Sequence, residues 1–227
     1  LQTSDWIAHL QGGLNWYWTY VQLYWTNVHM KKIKHDWRNP SGKRDLILVA
    51  TLEAIGTGGI DCVTHRHIAE IAGVAVGSVG YHFDTRDTLI REAFRYYVDG
   101  ISQTSLAVDD NLSNATRKGL LDGLLAVSER DLDRPEFLRA EYEMLVYAGR
   151  DPELARDIAS WHAALEARLA SALEALGVDK PMQAARMIRD LMRGIEIERL
   201  VRPDDSKARL RSQLNLVLDG LRISETA

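Results

Sequence analysis

The stretch from Thr64 to Leu89 constrains the fold more than any other part of this chain, because two short helical patterns meet there at a glycine. Thr64 is a good N-cap for the first helix, and Gly73 readily adopts the left-handed conformation that a tight turn needs. The apolar residues predicted to face inward are Ile68, Ile71, Ala72, Val74, Val79 and Phe83. This order of elements predicts a helix-turn-helix, a motif that inserts its second helix into a DNA major groove.

Helical patterns flank this motif on both sides. The preceding helix is predicted to end at the glycine cluster of residues 56–59, and its apolar stripe consists of Leu46, Ile47, Val49, Ala50 and Ala54. On the other side, Asp84 followed by Asp87 is typical of a helix cap. Apolar residues then recur at helical spacing from Leu89 to Ile101 and predict a long helix.

The rest of the chain repeats the same helical spacing. Predicted helices cover residues 113–130, 135–148, 151–177, 181–202 and 204–221, with Pro135, Pro152 and Pro181 at first helical turns. Alternation typical of strands is hard to find, and a hydrophobic content of 46% suffices for a packed core. The predicted fold class is therefore all-α, with an N-terminal three-helix DNA-binding domain and a helical C-terminal domain.

Charge and cysteine content narrow the classes of function. The net charge of −4 argues against indiscriminate binding of nucleic acid, although residues 30–44 hold six basic side chains against the single acid Asp36. The lone Cys62 excludes an intrachain disulfide and favours the cytoplasm. Cys62, His65 and His67 straddle a helix start and do not supply four inward-facing ligands, so no metal site is predicted.

Signatures of catalysis are also missing from the sequence. The glycine cluster at 56–59 is not followed by a Lys-Ser/Thr pair, so it is interpreted as a turn and not as a phosphate-binding loop. The chain has no recognisable nucleophile elbow and no glycine-rich cofactor loop. The protein is therefore predicted not to be an enzyme and to need no cofactor.

Residues 1–29 differ from the rest in composition, with four tryptophans and no Asp, Glu, Lys or Arg between Trp6 and Met30. Three interpretations stay open: a membrane anchor, an extension that is not native to the protein, and an ordered aromatic helix that packs on the body or a partner. Polar residues interrupt the uncharged run, which argues against membrane insertion. Residues 1–40 are predicted to form an extension and a basic arm.

The residues of the central stretch also match a known pattern in order and spacing. The matching positions are Thr64, Ile68-Ala69, Ala72-Gly73-Val74, Gly77-Ser78-Val79, His82-Phe83, Arg86-Asp87 and Leu89. Over about residues 43–95 the chain thereby resembles the DNA-binding signature of the tetracycline-repressor (TetR) family. The resemblance implies a DNA-binding domain at 41–86 and a regulatory and dimerisation domain at 87–227.

The resemblance further implies a homodimer on a double-stranded DNA operator, released by an unknown small-molecule effector in the C-terminal domain. The two C-terminal amphipathic helices are expected to form the dimer interface as a four-helix bundle. Effector binding would shift the helix that starts at Arg86 and change the separation of the two recognition helices. An activator of the same family, and a membrane-tethered or partner-binding helical protein, are the alternatives.

The DNA contacts are predicted from the same motif. Arg66 is expected to read guanine, Ser78 a base or phosphate, and Thr64, Tyr81, His82 and Arg86 phosphates. Ala75, Val76 and Gly80 depart from the usual pattern, which places more weight on Arg66, Tyr81 and the basic arm. The complete predicted DNA-binding set is Lys43, Arg44, Thr64, Arg66, Val76, Ser78, Gly80, Tyr81, His82 and Arg86.

The effector cavity is predicted from polar or polarisable residues on otherwise apolar helical faces. These are Tyr97, Glu141, Tyr142, Met144, Tyr147, Trp161, His162, Met187 and Glu196. Among them, Glu141 is a candidate partner for a cationic ligand. Trp161 lies on the apolar stripe of its helix, so core packing is its first explanation.

Overall fold

The fold is built from α-helices throughout the residues that the structure, a computed structural model, describes: 37–40, 42–113, 116–129, 134–202 and 206–223. These ranges contain no strand, which confirms the all-α prediction. The elements are α1 Lys43–Gly58, a 3₁₀ turn Ile60–Cys62, α2 His65–Ala72, α3 Val76–His82, α4 Arg86–Ser113, α5 Arg117–Glu129, α6 Pro135–Tyr147, α7 Pro152–Ala175, α8 Pro181–Val201 and α9 Ser206–Gly220.

A capping side chain starts α7 where the sequence predicts it. The Asp151 carboxylate accepts hydrogen bonds from the backbone amides of Glu153 at 3.0 Å and Leu154 at 3.1 Å, at the start of α7. The cap predicted at Asp84 is wrong by one residue. Thr85 is the cap, and its Oγ1 accepts a hydrogen bond from the Thr88 amide at 3.1 Å. A capping side chain bonds the amide of the second or third helical residue, and Thr88 is the third residue of α4.

The described residues form two hydrophobic cores. The first joins α1–α4 to α6 and the beginning of α7, with Phe83, Phe94 and Phe137 among its fully buried side chains. The second joins α5, the end of α7, α8 and α9, around Leu173, Ile188 and Leu214. The DNA-binding motif therefore shares the first core with helices of the predicted regulatory domain, and α4 belongs to that same core.

Trp37 belongs to the first core, contrary to the extension predicted for residues 1–40. Its side chain is 6% exposed, and its ring centroid lies 5.1 Å from that of Phe137 and 5.6 Å from that of Tyr97. A Cβ on Gly100 would stand 2.3 Å from the indole, so only glycine fits beneath it. Tyr96 donates its hydroxyl hydrogen to the Trp37 carbonyl at 2.9 Å. The remaining predictions for residues 1–36 lie outside the described residues.

Close packing of α1 against α6 depends on Gly56. A Cβ at this position would meet the backbone oxygen of Glu136 at 1.8 Å. The carbonyl of Gly56 accepts a hydrogen bond from Arg139 Nε at 2.7 Å, and Arg134 reaches Glu53 at 2.5 Å. The absence of a side chain at Gly56 therefore lets α6 pack closely on α1. Gly56 also belongs to the glycine cluster that is predicted to end this helix.

The last two helices keep apolar side chains at the surface. These are Met182, Met187, Ile197 and Val201 of α8 and Leu216 of α9.

Within the described ranges, no helix combines the length and the hydropathy that a membrane-spanning segment requires.

Replacing Trp37 by alanine is expected to lower the free energy of unfolding by about 3–5 kcal/mol, because it removes a buried aromatic side chain and leaves a cavity. Urea unfolding followed by circular dichroism measures this change, with Asn39→Ala, at an exposed position two residues away, as the control. Equal stabilities of the two variants would show that Trp37 contributes no core packing.

Candidate nucleic-acid interface and ligand cavity

The helix-turn-helix has the predicted local geometry. Thr64 caps α2, since its Oγ1 accepts a hydrogen bond from the His67 amide at 3.1 Å. Gly73 lies at φ 64°, ψ 33°, in the left-handed region, and turns the chain into α3. Val79 and Phe83 are buried as predicted. The inward orientation predicted for Ile71 is wrong: its side chain is 39% exposed, because it falls beside the buried face formed by Ile68 and Ala69.

The exposed side of α2 and α3 carries most of the residues predicted to contact DNA. Tyr81 is 85% exposed, while Arg66 and Val76 are also exposed. Ser78, Gly80 and His82 are half-buried. The ring of Tyr81 stands edge-on to that of His82, with centroids 5.2 Å apart. A bulky, polar-tipped side chain thus projects from the end of α3.

Arg86 has a different environment from the one predicted. Its Nη2 donates to the carbonyl of Ile60 at 2.6 Å, and its Nε donates to that of Val63 at 3.1 Å. Its guanidinium carbon also lies 5.7 Å from the centroid of the Tyr147 ring. These two donors fix the turn that precedes α2, and the predicted phosphate contact of Arg86 stays a prediction.

The two basic residues at the start of α1 also differ from each other. Lys43 is exposed, whereas Arg44 forms an ion pair with Glu92 at 2.5 Å and lies 5.5 Å from the centroid of the Phe83 ring. Arg44 therefore ties α1 to α4. The basic residues that precede Trp37 lie outside the described residues.

Cys62 is a partly buried side chain of the 3₁₀ turn. Its Sγ donates to the Ala54 carbonyl at 3.1 Å, and burial raises the pKa of the thiol. In the described part of the chain, no group of three or more His, Cys, Asp or Glu side chains stands close enough to hold a metal ion. His67 is exposed, and His65 is half-buried on the side of α2 that faces Gly80 of α3.

A cavity of about 140 Å³ lies among α5, α6, α7 and α8. Four of the predicted residues line it: Glu141, Trp161, His162 and Glu196. Sequence reasoning missed its other lining residues, which are Gly123, Leu124, Val127, Leu165, Glu166, Arg168, Leu169, Ala185, Arg189, Met192 and Arg193. The charged lining residues could have been recognised in the sequence by a charge that lies next to an apolar helical stripe, as at Glu166 beside Leu165.

The other five predicted cavity residues lie elsewhere. Tyr97 and Met144 are fully buried in the first core, Met187 is exposed on α8, and Tyr147 donates to Asp87 Oδ1 at 3.0 Å. Tyr142 lines a separate groove with Gly56 and Val146. The reason is geometric: helical spacing predicts which residues share a stripe, but the packing of neighbouring helices decides which stripe faces a cavity.

The charged groups around the cavity are linked in pairs. Glu166, which is buried, accepts a hydrogen bond from Arg186 Nε at 3.0 Å and pairs with Arg189. The His162 ring contacts the Arg193 guanidinium. Burial, reinforced by the positive charges of Arg193 and Arg189, lowers the pKa of His162 from 6.5 to about 4. This imidazole is therefore neutral near pH 7.

Tyr142 bridges the cavity wall and the neighbouring groove. Its hydroxyl donates to Glu196 Oε2 at 2.8 Å. Burial, together with the negative charges of Glu196 and Glu141, raises the pKa of Tyr142 far above its usual value. The hydroxyl remains protonated at every physiological pH and acts as a permanent donor to Glu196.

Acidification is expected to destabilise the protein through His162. Because its pKa is lower in the folded protein, the unfolded chain binds the extra proton more readily, and stability falls as the pH drops from about 6.5 towards 4. Urea unfolding at several pH values should show a weaker dependence over this range in His162→Gln. The control is His67→Gln, at an exposed position of α2. If the free energy of unfolding depended on pH in the same way for wild type and His162→Gln, the expectation would be contradicted.

Comparisons with known proteins agree with this arrangement. A family described as "Bacterial regulatory proteins, tetR family" matches residues 47–93, and one described as "Tetracyclin repressor-like, C-terminal domain" matches residues 115–220. The HTH-type transcriptional repressor KstR2 of Rhodococcus jostii is 30% identical over 66 residues, which are 29% of this chain and 32% of that protein. The chain spans 32–43% of the length of the curated relatives that it matches.

Solved structures are similar over a larger part of the chain. A TetR-family member from Streptomyces coelicolor is 26% identical with a TM-score of 0.66, covering 78% of this chain and 98% of that one. The multidrug binding protein EbrR in complex with imidazole is 26% identical with a TM-score of 0.60, covering 78% and 96%. EbrR has also been solved with proflavin. Since both family regions and the fold agree, this chain belongs to the TetR family of transcriptional regulators.

Proposed function

We propose that the protein is a homodimeric transcriptional repressor that leaves its operator when a small molecule binds in the cavity. One observation carries this proposal: α4 starts directly after the exposed α3, and it shares the first core with α6 and α7, which line the cavity. A change in the cavity walls is therefore connected by packing to the DNA-binding helices.

The proposed DNA contacts follow from exposure. Arg66 reads a base edge with its guanidinium fork, while Tyr81, Ser78 and His82 of α3 contact phosphates or bases. Thr64 Oγ1 caps α2 through its lone pair, and its hydroxyl hydrogen is available to a phosphate. Val76 and Gly80 let α3 approach the groove closely, and Lys43 adds a flanking phosphate contact.

Dimerisation through α8 and α9 explains their exposed apolar side chains. Val201 and Leu216 are the most exposed of these residues. A two-fold interface that pairs α8 and α9 of each subunit would remove this surface from water, which favours association. It would also set the distance between two recognition helices on the operator.

Ion pairs offer a route from the cavity to the DNA-binding helices. Arg91 Nε of α4 bonds Asp151 Oδ2 at 2.9 Å, at the N-terminus of α7. One turn later, Arg95 Nε bonds Asp157 Oδ2 at 2.9 Å. The Leu154 amide and the Arg91 guanidinium both lower the pKa of Asp151, which remains ionised. A shift of α7 around a ligand would thus move α4 as well.

The names of relatives support the two halves of the proposal. KstR2 is named a transcriptional repressor, and EbrR is named a multidrug binding protein with imidazole and proflavin complexes. A repressor released by a small molecule combines these two properties.

Arg66→Ala is expected to weaken binding to the protein's own upstream DNA by about 1–3 kcal/mol, because the bidentate base contact is lost. Fluorescence anisotropy with this DNA and with unrelated DNA measures the difference. Arg156→Ala, at an exposed arginine of α7, is the control. An equal loss on both DNAs would contradict base reading by Arg66.

Arg86→Ala is expected to lower the free energy of unfolding by about 1.5–3 kcal/mol, since two backbone carbonyls lose a charged donor. The salt dependence of operator binding should stay unchanged, because Arg86 is directed into the protein. A lost phosphate contact would instead reduce the slope of log affinity against log salt by about 0.9 without lowering stability. Urea unfolding and anisotropy at several salt concentrations distinguish the two roles.

A further inference from the structure

Helix α3 carries two glycines that the packing of the protein does not require. Gly77 and Gly80 both lie inside this helix of seven residues. Apart from its own turn of helix, a Cβ at Gly77 would meet nothing within 4 Å in the described chain. A Cβ at Gly80 would stand 4.0 Å from His65 Nδ1, which is an ordinary contact. Alanine would therefore fit at both positions, in contrast to Gly56, where a Cβ would meet the backbone of α6.

These glycines weaken α3 without a gain in packing. Glycine is less favourable than alanine inside a helix, because its backbone loses more freedom when the helix forms. The helix also begins at Ala75, which has no polar side chain to cap a backbone amide. Features that weaken a local element without helping its packing are typical of a functional surface. They indicate that another molecule approaches the backbone of α3 closely.

The outward side of α3 has an apolar group beside this uncovered backbone. Val76 is 50% exposed. Residues three or four apart share a face of a helix, so Val76 lies beside Gly80, and Gly77 lies beside both Gly80 and Tyr81. The surface therefore consists of one branched apolar side chain, two bare stretches of backbone and an exposed tyrosine.

Only one base offers an apolar group to such a surface in the major groove. Thymine presents its C5-methyl group there, whereas the other bases present hydrogen-bond donors and acceptors. The side chains that form two hydrogen bonds with a base edge belong to Arg, Lys, Asn and Gln, and α3 contains none of these residues. An apolar side chain reads thymine by van der Waals contact, which requires a close approach of the helix.

We infer that Val76 reads a thymine by packing on its C5-methyl group, and that Gly77 and Gly80 let the backbone of α3 come close enough for this contact. Val76 and Gly77 are then specificity-determining residues, while Arg66 of α2 reads another base pair. This inference rests on the proposed DNA-binding function and adds the base and the chemical group that α3 recognises.

Uracil tests the contact directly, because it differs from thymine only by this methyl group. Duplexes that the full chain selects from a random library supply the probe, and each thymine is replaced by uracil in turn. At the contacted position, fluorescence anisotropy is expected to show about fourfold weaker binding by wild type, the factor that burial of one methyl group supplies. Val76→Ala should bind both duplexes equally. Val146→Ala, at an exposed valine of α6, is the matched control and should respond like wild type.

Two outcomes would overturn the inference and leave the DNA-binding regulator intact. One is a selected duplex in which no exchange of thymine for uracil changes the affinity of wild type. The other is an equal loss in wild type and Val76→Ala, because another side chain would then contact the methyl group. If no sequence is selected at all, the proposed specific binding of DNA fails together with the inference.

Gly77→Ala separates the contact with DNA from the stability of the fold. Because alanine favours the helix, the midpoint of urea unfolding should stay the same or rise. Affinity for the selected duplex should fall at least about tenfold, since the added methyl group keeps α3 away from the bases. Wild-type affinity in Gly77→Ala would overturn the close approach and the inference with it. A lower unfolding midpoint would do the same, because Gly77 would then serve the fold.

Discussion

The contact between α1 and α6 at Gly56 is the constraint on which the rest of the structure depends. Because Gly56 has no side chain, the backbone of Glu136 can approach α1 closely, and Arg139 and Arg134 then bond across the same contact. The DNA-binding helices are thereby packed on a helix that also lines the cavity. The cavity wall thus shares Trp161 with the core of the DNA-binding motif, and α6 contacts α1 directly.

A second set of interactions positions the DNA-binding motif from within. Arg86 holds the carbonyls of Ile60 and Val63, and its guanidinium packs on the ring of Tyr147 in α6. Tyr147 in turn donates to Asp87, so the start of α4 is fixed to both the turn before α2 and the end of α6. Arg86, which the sequence predicts to contact a phosphate, therefore fixes the orientation of the motif through contacts within the protein.

The cavity shows the same dependence on packing. Glu141 and Glu196 accept hydrogen bonds from tyrosines, Glu166 pairs with Arg189, and Arg193 contacts the neutral ring of His162. One of those tyrosines, Tyr97, also packs on Trp37, which brings the wall of the cavity within two side chains of the segment that precedes α1. Glu141, Tyr97 and Trp37 thus form a continuous series of direct contacts.

Local chemistry in the sequence alone determined the helices, the helix-turn-helix and most helix starts. Thr64 caps α2, Gly73 turns the chain and prolines begin three helices, because each effect acts within a few residues. Only the tertiary structure decided the burial of Trp37, the partners of Arg86 and which of nine candidate residues line the cavity. These depend on how each helix is rotated against neighbours distant in the chain, and helical spacing does not specify that rotation.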